Sequence, residues 1–203
     1  MRGNGLSSAY GRKRLKAHPG RPNEAELPNV LDRSLDGCAP RTHVCSDLAY
    51  VRAGGSWRYA CLLVDPCNRE IVGHSAGSGK GAKLVKAAFA TPGFPISDIE
   101  VSRTDRGGES GNAEIDLMLE TFGIERSLSA KGRPHGNAVD ESTNKMLKAE
   151  LVYRDSFSDL RDLQAELSDY VHRHDNFRIH STLGYMSPVE FRKAGLILSK
   201  PSK

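Results

Sequence analysis

Residues 44–51 (VCSDLAYV) form a mostly apolar run broken by Ser46-Asp47, and a longer, more apolar stretch follows over 57–65. Both read as strands, the second more deeply buried. Gly54-Gly55 between them is a hairpin signal. A turn around Asn68 leads to a third strand over residues 70–75, so the first three strands form an antiparallel meander. The period then changes. Residues 82–90 read as a helix with Leu84, Val85 and Ala88 inward, closed by Pro92 and Pro95. A short strand is expected over 99–104, a helix over 113–122 ended by Gly123, and a last strand over 124–129. Residues 137–151 predict a helix with Asn137 as N-cap. Residues 159–174 predict a long one with Leu160, Leu163, Leu167, Tyr170 and Val171 on one buried stripe, and Ser187-Pro188 opens a final short helix.

The resulting order, β-β-β-α-β-α-β-α-α, predicts an α/β fold with a five-stranded mixed sheet flanked by helices, the order of the ribonuclease H-like fold. Residues 1–42 read as a weakly ordered arm rich in Gly, Pro, Asn and Ser. Residues 43–196 form the core and 197–203 a tail.

Charge changes the picture at one end. The net charge is +4, and the excess lies in residues 1–46, with eight bases and four acids. Residues 1–21 carry six bases and no acid, an arm suited to a polyanion such as nucleic acid. No run of 18 apolar residues offers a membrane span, and the first twenty lack a secretory apolar core, so a cytoplasmic chain is expected. The four cysteines (Cys38, Cys45, Cys61, Cys67) have no CxxC spacing. They are expected to be reduced thiols, with neither a disulfide scaffold nor a structural zinc site.

Three acids stand where a solvated surface charge is not expected. Asp47 lies inside the first strand, although strands avoid Asp. Asp105 ends the fourth strand ahead of Arg106-Gly107-Gly108, and Glu141 falls in the first turns of the next helix but one, with 35 residues between it and Asp105. Carboxylates converging from two strands and a helix repel one another without metal, and suit a pair of Mg²⁺ ions about 3.5–4 Å apart in phosphodiester chemistry. Residue chemistry alone leaves a structural role open for each.

The segments SDLAYV (46–51), TDRGG (104–108), KGRPHGNA (131–138), Glu141-Ser142 and RIHSTLGY (178–185) resemble the integrase-type core of bacterial insertion-sequence transposases, which is related to retroviral integrases. The similarity runs from about Val44 to Leu196, and weakly to residues 1–6. The resemblance implies an Asp-Asp-Glu triad of Asp47, Asp105 and Glu141 as catalytic metal ligands with two Mg²⁺ (or Mn²⁺) ions. It also implies DNA strand cleavage followed by strand transfer. The implied partners are double-stranded DNA, as element ends and target, further copies of the chain on DNA, and the product of the upstream transposon reading frame. The expected location is the bacterial cytoplasm, at the nucleoid. A non-catalytic DNA-binding remnant of a truncated element is the alternative. The family's helix-turn-helix-like segment is represented by no more than its tail, so an internal start, a truncated copy and a genuine short product all stay open.

Asp140 rivals Glu141, since adjacent helical residues point about 100° apart and one of them can face the metals. Glu141 is preferred on spacing and on Ser142. Gly136 stands where the family usually has aspartate. Lys145 and Lys148, four and seven residues after Glu141, share its helical face and are candidates to grip DNA phosphates, as are Lys131, Arg133 and Arg178. His172, His174 and His180 are read as structural or phosphate-contacting rather than as metal ligands, and Trp57 as a core residue rather than a stacking platform.

Overall fold

The computed structural model describes residues 38–104, 113–128 and 138–198. Strand β1 (His43–Ala53) pairs antiparallel with β2 (Ser56–Val64), and β2 with β3 (Ile71–Gly77). Gly54 and Gly55 both take positive φ, as a two-residue hairpin loop requires. A side chain at Gly54 would also meet Ser158 O at 2.8 Å, so the turn packs directly against the segment leading into a later helix. Helix α1 (Ala82–Phe89) follows, then β4 (Val101–Thr104), α2 (Ala113–Thr121) and β5 (Glu125–Leu128). Strands β4 and β5 join in parallel on the other side of β1, giving the order β3-β2-β1-β4-β5. This is the mixed five-stranded sheet expected from the element order.

Alternation along the strands makes two apolar layers. On one face Val44, Cys61 and Leu63 pack with Leu84, Val85, Ala88 and Phe89 of α1 and with Ile115 and Leu119 of α2. On the other, Ala49, Val51, Ala60, Leu62 and Val64 meet α3 (Ala138–Leu147) and α4 (Leu160–Asn176) through Leu147, Leu151, Leu163, Leu167 and Tyr170. The alanines in β1 and β2 let α4 lie close to the sheet. Helix α3 runs on into a π turn (Lys148–Val152) that carries Ala149 and Leu151 inward, so the helix expected over 137–151 is α-helical only to Leu147. Asp159 caps α4 by accepting from Asp162 N at 2.9 Å. Ser187 and Glu190 form a reciprocal capping box at α5 (Pro188–Lys193).

Two expectations are corrected. Cys38 and Cys67 are joined in a disulfide that ties the approach to β1 to the β2–β3 turn, while Cys45 and Cys61 are buried and take no part in it. Sequence spacing could not reveal the pair, because it depends on the β1–β2 register that brings residue 67 back beside residue 38. His43 also offers a ring nitrogen within 4.8 Å of both sulfurs. Trp57 is not core. It is 59% exposed, because it stands near the hairpin end of β2, beyond the reach of α1. Of the expected arm (1–42), residues 1–37 lie outside the described residues, while 38–42 are held to the core by the Cys38–Cys67 link and by Arg41 N donating to Asp65, and no described helix is long and apolar enough to cross a membrane.

Candidate active site

Asp47 sits mid-strand in β1 on the face covered by α3. Its Oδ1 accepts the backbone N–H of Leu48 at 2.7 Å, and its Oδ2 accepts Nδ2 of Asn144 from α3. A carboxylate has lone pairs beyond these two bonds. Asn144 is 6% exposed, and its Oδ1 is buried with no hydrogen-bond partner among the described residues. Sequence reading missed Asn144. Its one available signal was its position three residues after Glu141, which puts both on the same side of a helix. Glu141 is exposed on α3, one turn before that contact.

The neighbouring strand is in register. Ser46, just before Asp47, pairs with Thr104 in the parallel β1–β4 ladder, and Asp105 is the next residue in the chain. Asp105 itself lies outside the described residues, as do Lys131 and Arg133. Arg103 pairs with Cys45, two positions before Asp47, so it shares the Asp47 face of the sheet. It is 2% exposed, a buried cation that favours carboxylates and other anions nearby. Sequence reading did not single it out.

The remaining candidates divide. Lys145 is exposed and Lys148 half-buried, both on α3 and its continuation. Arg178 is engaged elsewhere: its Nε and Nη2 hold both oxygens of Glu150 at 2.9–3.1 Å, locking the end of α4 to the π turn. The side chain of Asp140 lies outside the described set. Asp47 and Glu141 carry carboxylate oxygens, the hard donors that Mg²⁺ selects, so their chemistry suits a divalent cation.

A second polar cluster is structural. His174 is buried, with Nδ1 2.9 Å from Asp175 Oδ1, and Asp175 Oδ1 also accepts Ile71 N. His180 is buried, its ring 4.9 Å from that of His174, while His172 is exposed. Burial, with help from His174 and Arg178, lowers the His180 pKa to about 4. Glu70 accepts from Arg192 of α5 at 2.7 Å. Asp65, pushed up to about 6 by burial, accepts the N–H groups of Arg41 and Cys67. The cluster fastens α4 and α5 to the β2–β3 turn. None of the three histidines joins a group of three metal-ligating side chains among the described residues.

Two family models, each described as an integrase core domain, match residues 38–134 and 122–188. The chain is 28% identical over 93% of its length to the transposase for insertion sequence element IS904 of Lactococcus lactis, covering 76% of that protein. It is 30% identical over 93% of its length to the probable transposase for IS1353 of Shigella flexneri, covering 37% of it. Against the putative transposase InsK for IS150 of Escherichia coli the identity is 26%, covering 66%. The fold matches the HTLV-2 integrase catalytic core, solved in complex with magnesium, with TM-score 0.56 at 12% identity over 76% of this chain and 97% of that one. It also matches a chain of the simian T-cell lymphotropic virus intasome with TM-score 0.60 at 16% identity, covering 89% and 60%. Those neighbours are retroviral integrases, which have the ribonuclease H-like fold. The chain belongs to the integrase core family, among the insertion-sequence transposases.

Proposed function

We propose that this chain is the catalytic core of a transposase that cuts and joins DNA strands, with Asp47, Asp105 and Glu141 as its catalytic acids. One observation carries the reading: the Asp47 carboxylate is held by Asn144, three residues after Glu141 on the helix that crosses β1. The register of Ser46 with Thr104 supports Asp105 as the third member, since the chain leaves β4 into Asp105 one step from the pair beside Asp47.

Two Mg²⁺ or Mn²⁺ ions held by these carboxylates would supply activation of the attacking oxygen and charge neutralisation at the leaving oxygen. The protein's own part is positioning. Asn144 orients Asp47 by donating to Oδ2, Arg103 offsets negative charge on the same face, and Lys145 and Lys148 grip phosphates beside the acids. Lys131, Arg133 and Arg178 are further phosphate candidates, Arg178 while also holding Glu150. Water attacks a phosphodiester at the element end and leaves a 3′-hydroxyl. That hydroxyl then attacks a second phosphodiester in line, one P–O bond forming as another breaks. The basic arm of residues 1–42 adds polyanion attraction to the core of residues 43–196. The partners are element-end and target duplexes, further copies of the chain on DNA, and the upstream reading-frame product, in the cytoplasm at the nucleoid.

The test is Mg²⁺-dependent nicking and joining of a duplex bearing an element end. Wild type is expected to nick and join. Asp47→Asn, Asp105→Asn and Glu141→Gln should lose at least about a thousandfold, as loss of a whole catalytic unit does, and Asp140→Asn should keep activity. Equal activity in wild type and Asp105→Asn would end the catalytic reading. Binding without joining by wild type would favour the remnant.

A further inference from the structure

The β1–β2 hairpin extends past α1 and presents aromatic rings and cations together on the sheet face opposite Asp47. Tyr50 lies directly across from Tyr59, and Arg52 across from Trp57. The two tyrosine rings meet edge to face at 5.2 Å, leaving Tyr50 49% and Trp57 59% exposed. The Arg52 guanidinium sits 6.0 Å from the Trp57 ring, and Lys80 Nζ sits 5.9 Å from the Tyr50 ring and 3.5 Å from its hydroxyl. Large aromatic side chains usually bury most of their surface, so two of them held open by cations on a regular hairpin call for a ligand.

The segments that carry them hold cations and no acid. Residues 48–64 and 71–97 contain no aspartate or glutamate, and they carry Arg52, Arg58, Lys80, Lys83 and Lys86. Lys86 pairs with Glu114 of α2, and Arg52 and Lys80 are the cations that sit against the rings. The basic segment 1–21 has the same sign as this surface and is a poor electrostatic match for it. Open ring faces with flanking cations match nucleobases and phosphates, and the bases must be unpaired, because a duplex keeps its base faces stacked internally.

We propose that Trp57 and Tyr50 form a stacking platform for an unpaired DNA strand, with Arg52 and Lys80 holding its phosphates. Tyr50 lies three residues beyond Asp47, about 10 Å along the strand at the ordinary rise, so the platform receives nucleotides that leave the reaction centre around the hairpin edge. The inference rests on the reading of this chain as a DNA strand transferase.

Trp57 is the chain's single tryptophan, so its emission reports on this site alone. A fluorescence titration with an oligothymidylate of about twenty nucleotides is expected to quench it. Anisotropy with the same labelled strand should show about tenfold weaker binding in Trp57→Ala and in Arg52→Ala/Lys80→Ala, with Trp57→Phe close to wild type. Glu141→Gln should be quenched like wild type. Arg52→Ala/Lys80→Ala, which keeps Trp57, should also show a shallower salt dependence. If element-end duplex is bound and joined but the single strand leaves Trp57 emission unchanged, the platform is refuted and the catalytic reading stands. If neither duplex nor single strand binds, both fail. Emission that follows protein concentration rather than DNA would refute the platform by identifying a second copy of the chain as the occupant.

Discussion

Asn144 Nδ2 donates to Asp47 Oδ2, joining residues 97 apart in sequence and fixing α3 across the middle of β1. The bond holds a carboxylate in one orientation from a helix whose preceding turn carries Glu141. Ligand-orienting partners of this type matter nearly as much as the ligands themselves. Asn144→Ala is therefore expected to raise the Mg²⁺ concentration needed for strand joining by about 10–100-fold. The thermal midpoint should change far less than activity. A Mg²⁺ titration of joining by wild type and variant checks this, and an unchanged requirement would remove Asn144 from the site.

The Cys38–Cys67 link closes a loop of sequence separation 29. By the chain-entropy relation such a loop stabilises by about 3–4 kcal/mol. Urea unfolding with and without dithiothreitol should show a lower midpoint on reduction for wild type, and Cys67→Ser should match reduced wild type and ignore the reductant. A midpoint insensitive to reductant in wild type would argue against the link.

Gly73 in β3 lies under α1, where an added Cβ would sit 2.6 Å from Ala88 O and 2.9 Å from Leu63 Cδ1. The first contact is backbone and cannot rotate away. Gly73→Ala should destabilise by about 1–3 kcal/mol as overpacking, read as a lower urea midpoint with an unchanged slope.

His180 has its pKa lowered to about 4 by burial first, then by His174, Arg178 and Arg69, with Glu150 opposing. Between pH 6.5 and 4 the unfolded chain takes up a proton that the folded imidazole refuses. This group's contribution is therefore complete above about pH 6.5 and declines as pH falls. Asp65 and Asp175, both raised by burial, act in the opposite direction at acid pH, so wild type alone will show a muted profile. The difference in melting temperature between wild type and His180→Gln isolates the histidine. It should shrink from pH 7 to pH 4, and a constant difference would contradict the assignment.

Arg178 illustrates a residue whose type was legible and whose role was not. A cation beside the long helix suggested a phosphate contact or a helix cap, and its guanidinium also grips Glu150 in a fork, 28 positions away in sequence. Arg178→Ala and Glu150→Gln are each expected to lower stability by about 1 kcal/mol, and the double variant by little more than either. Independent, additive losses would show that the pair is not coupled.

Sequence by itself determined the elements and their order, since period two and period 3.6 are local properties of the chain. It also singled out Asp47 and found the Gly54-Gly55 turn, because an acid in a strand and a glycine pair between strands are anomalies visible without contacts. Tertiary structure alone decided which residues meet across the fold. The strand register brought Cys67 back to Cys38, the crossing of α3 over β1 gave Asp47 its partner Asn144, and the length of α1 set where cover ends and Trp57 emerges. Those three outcomes depend on where elements stop and how they lie on one another, which no local pattern encodes.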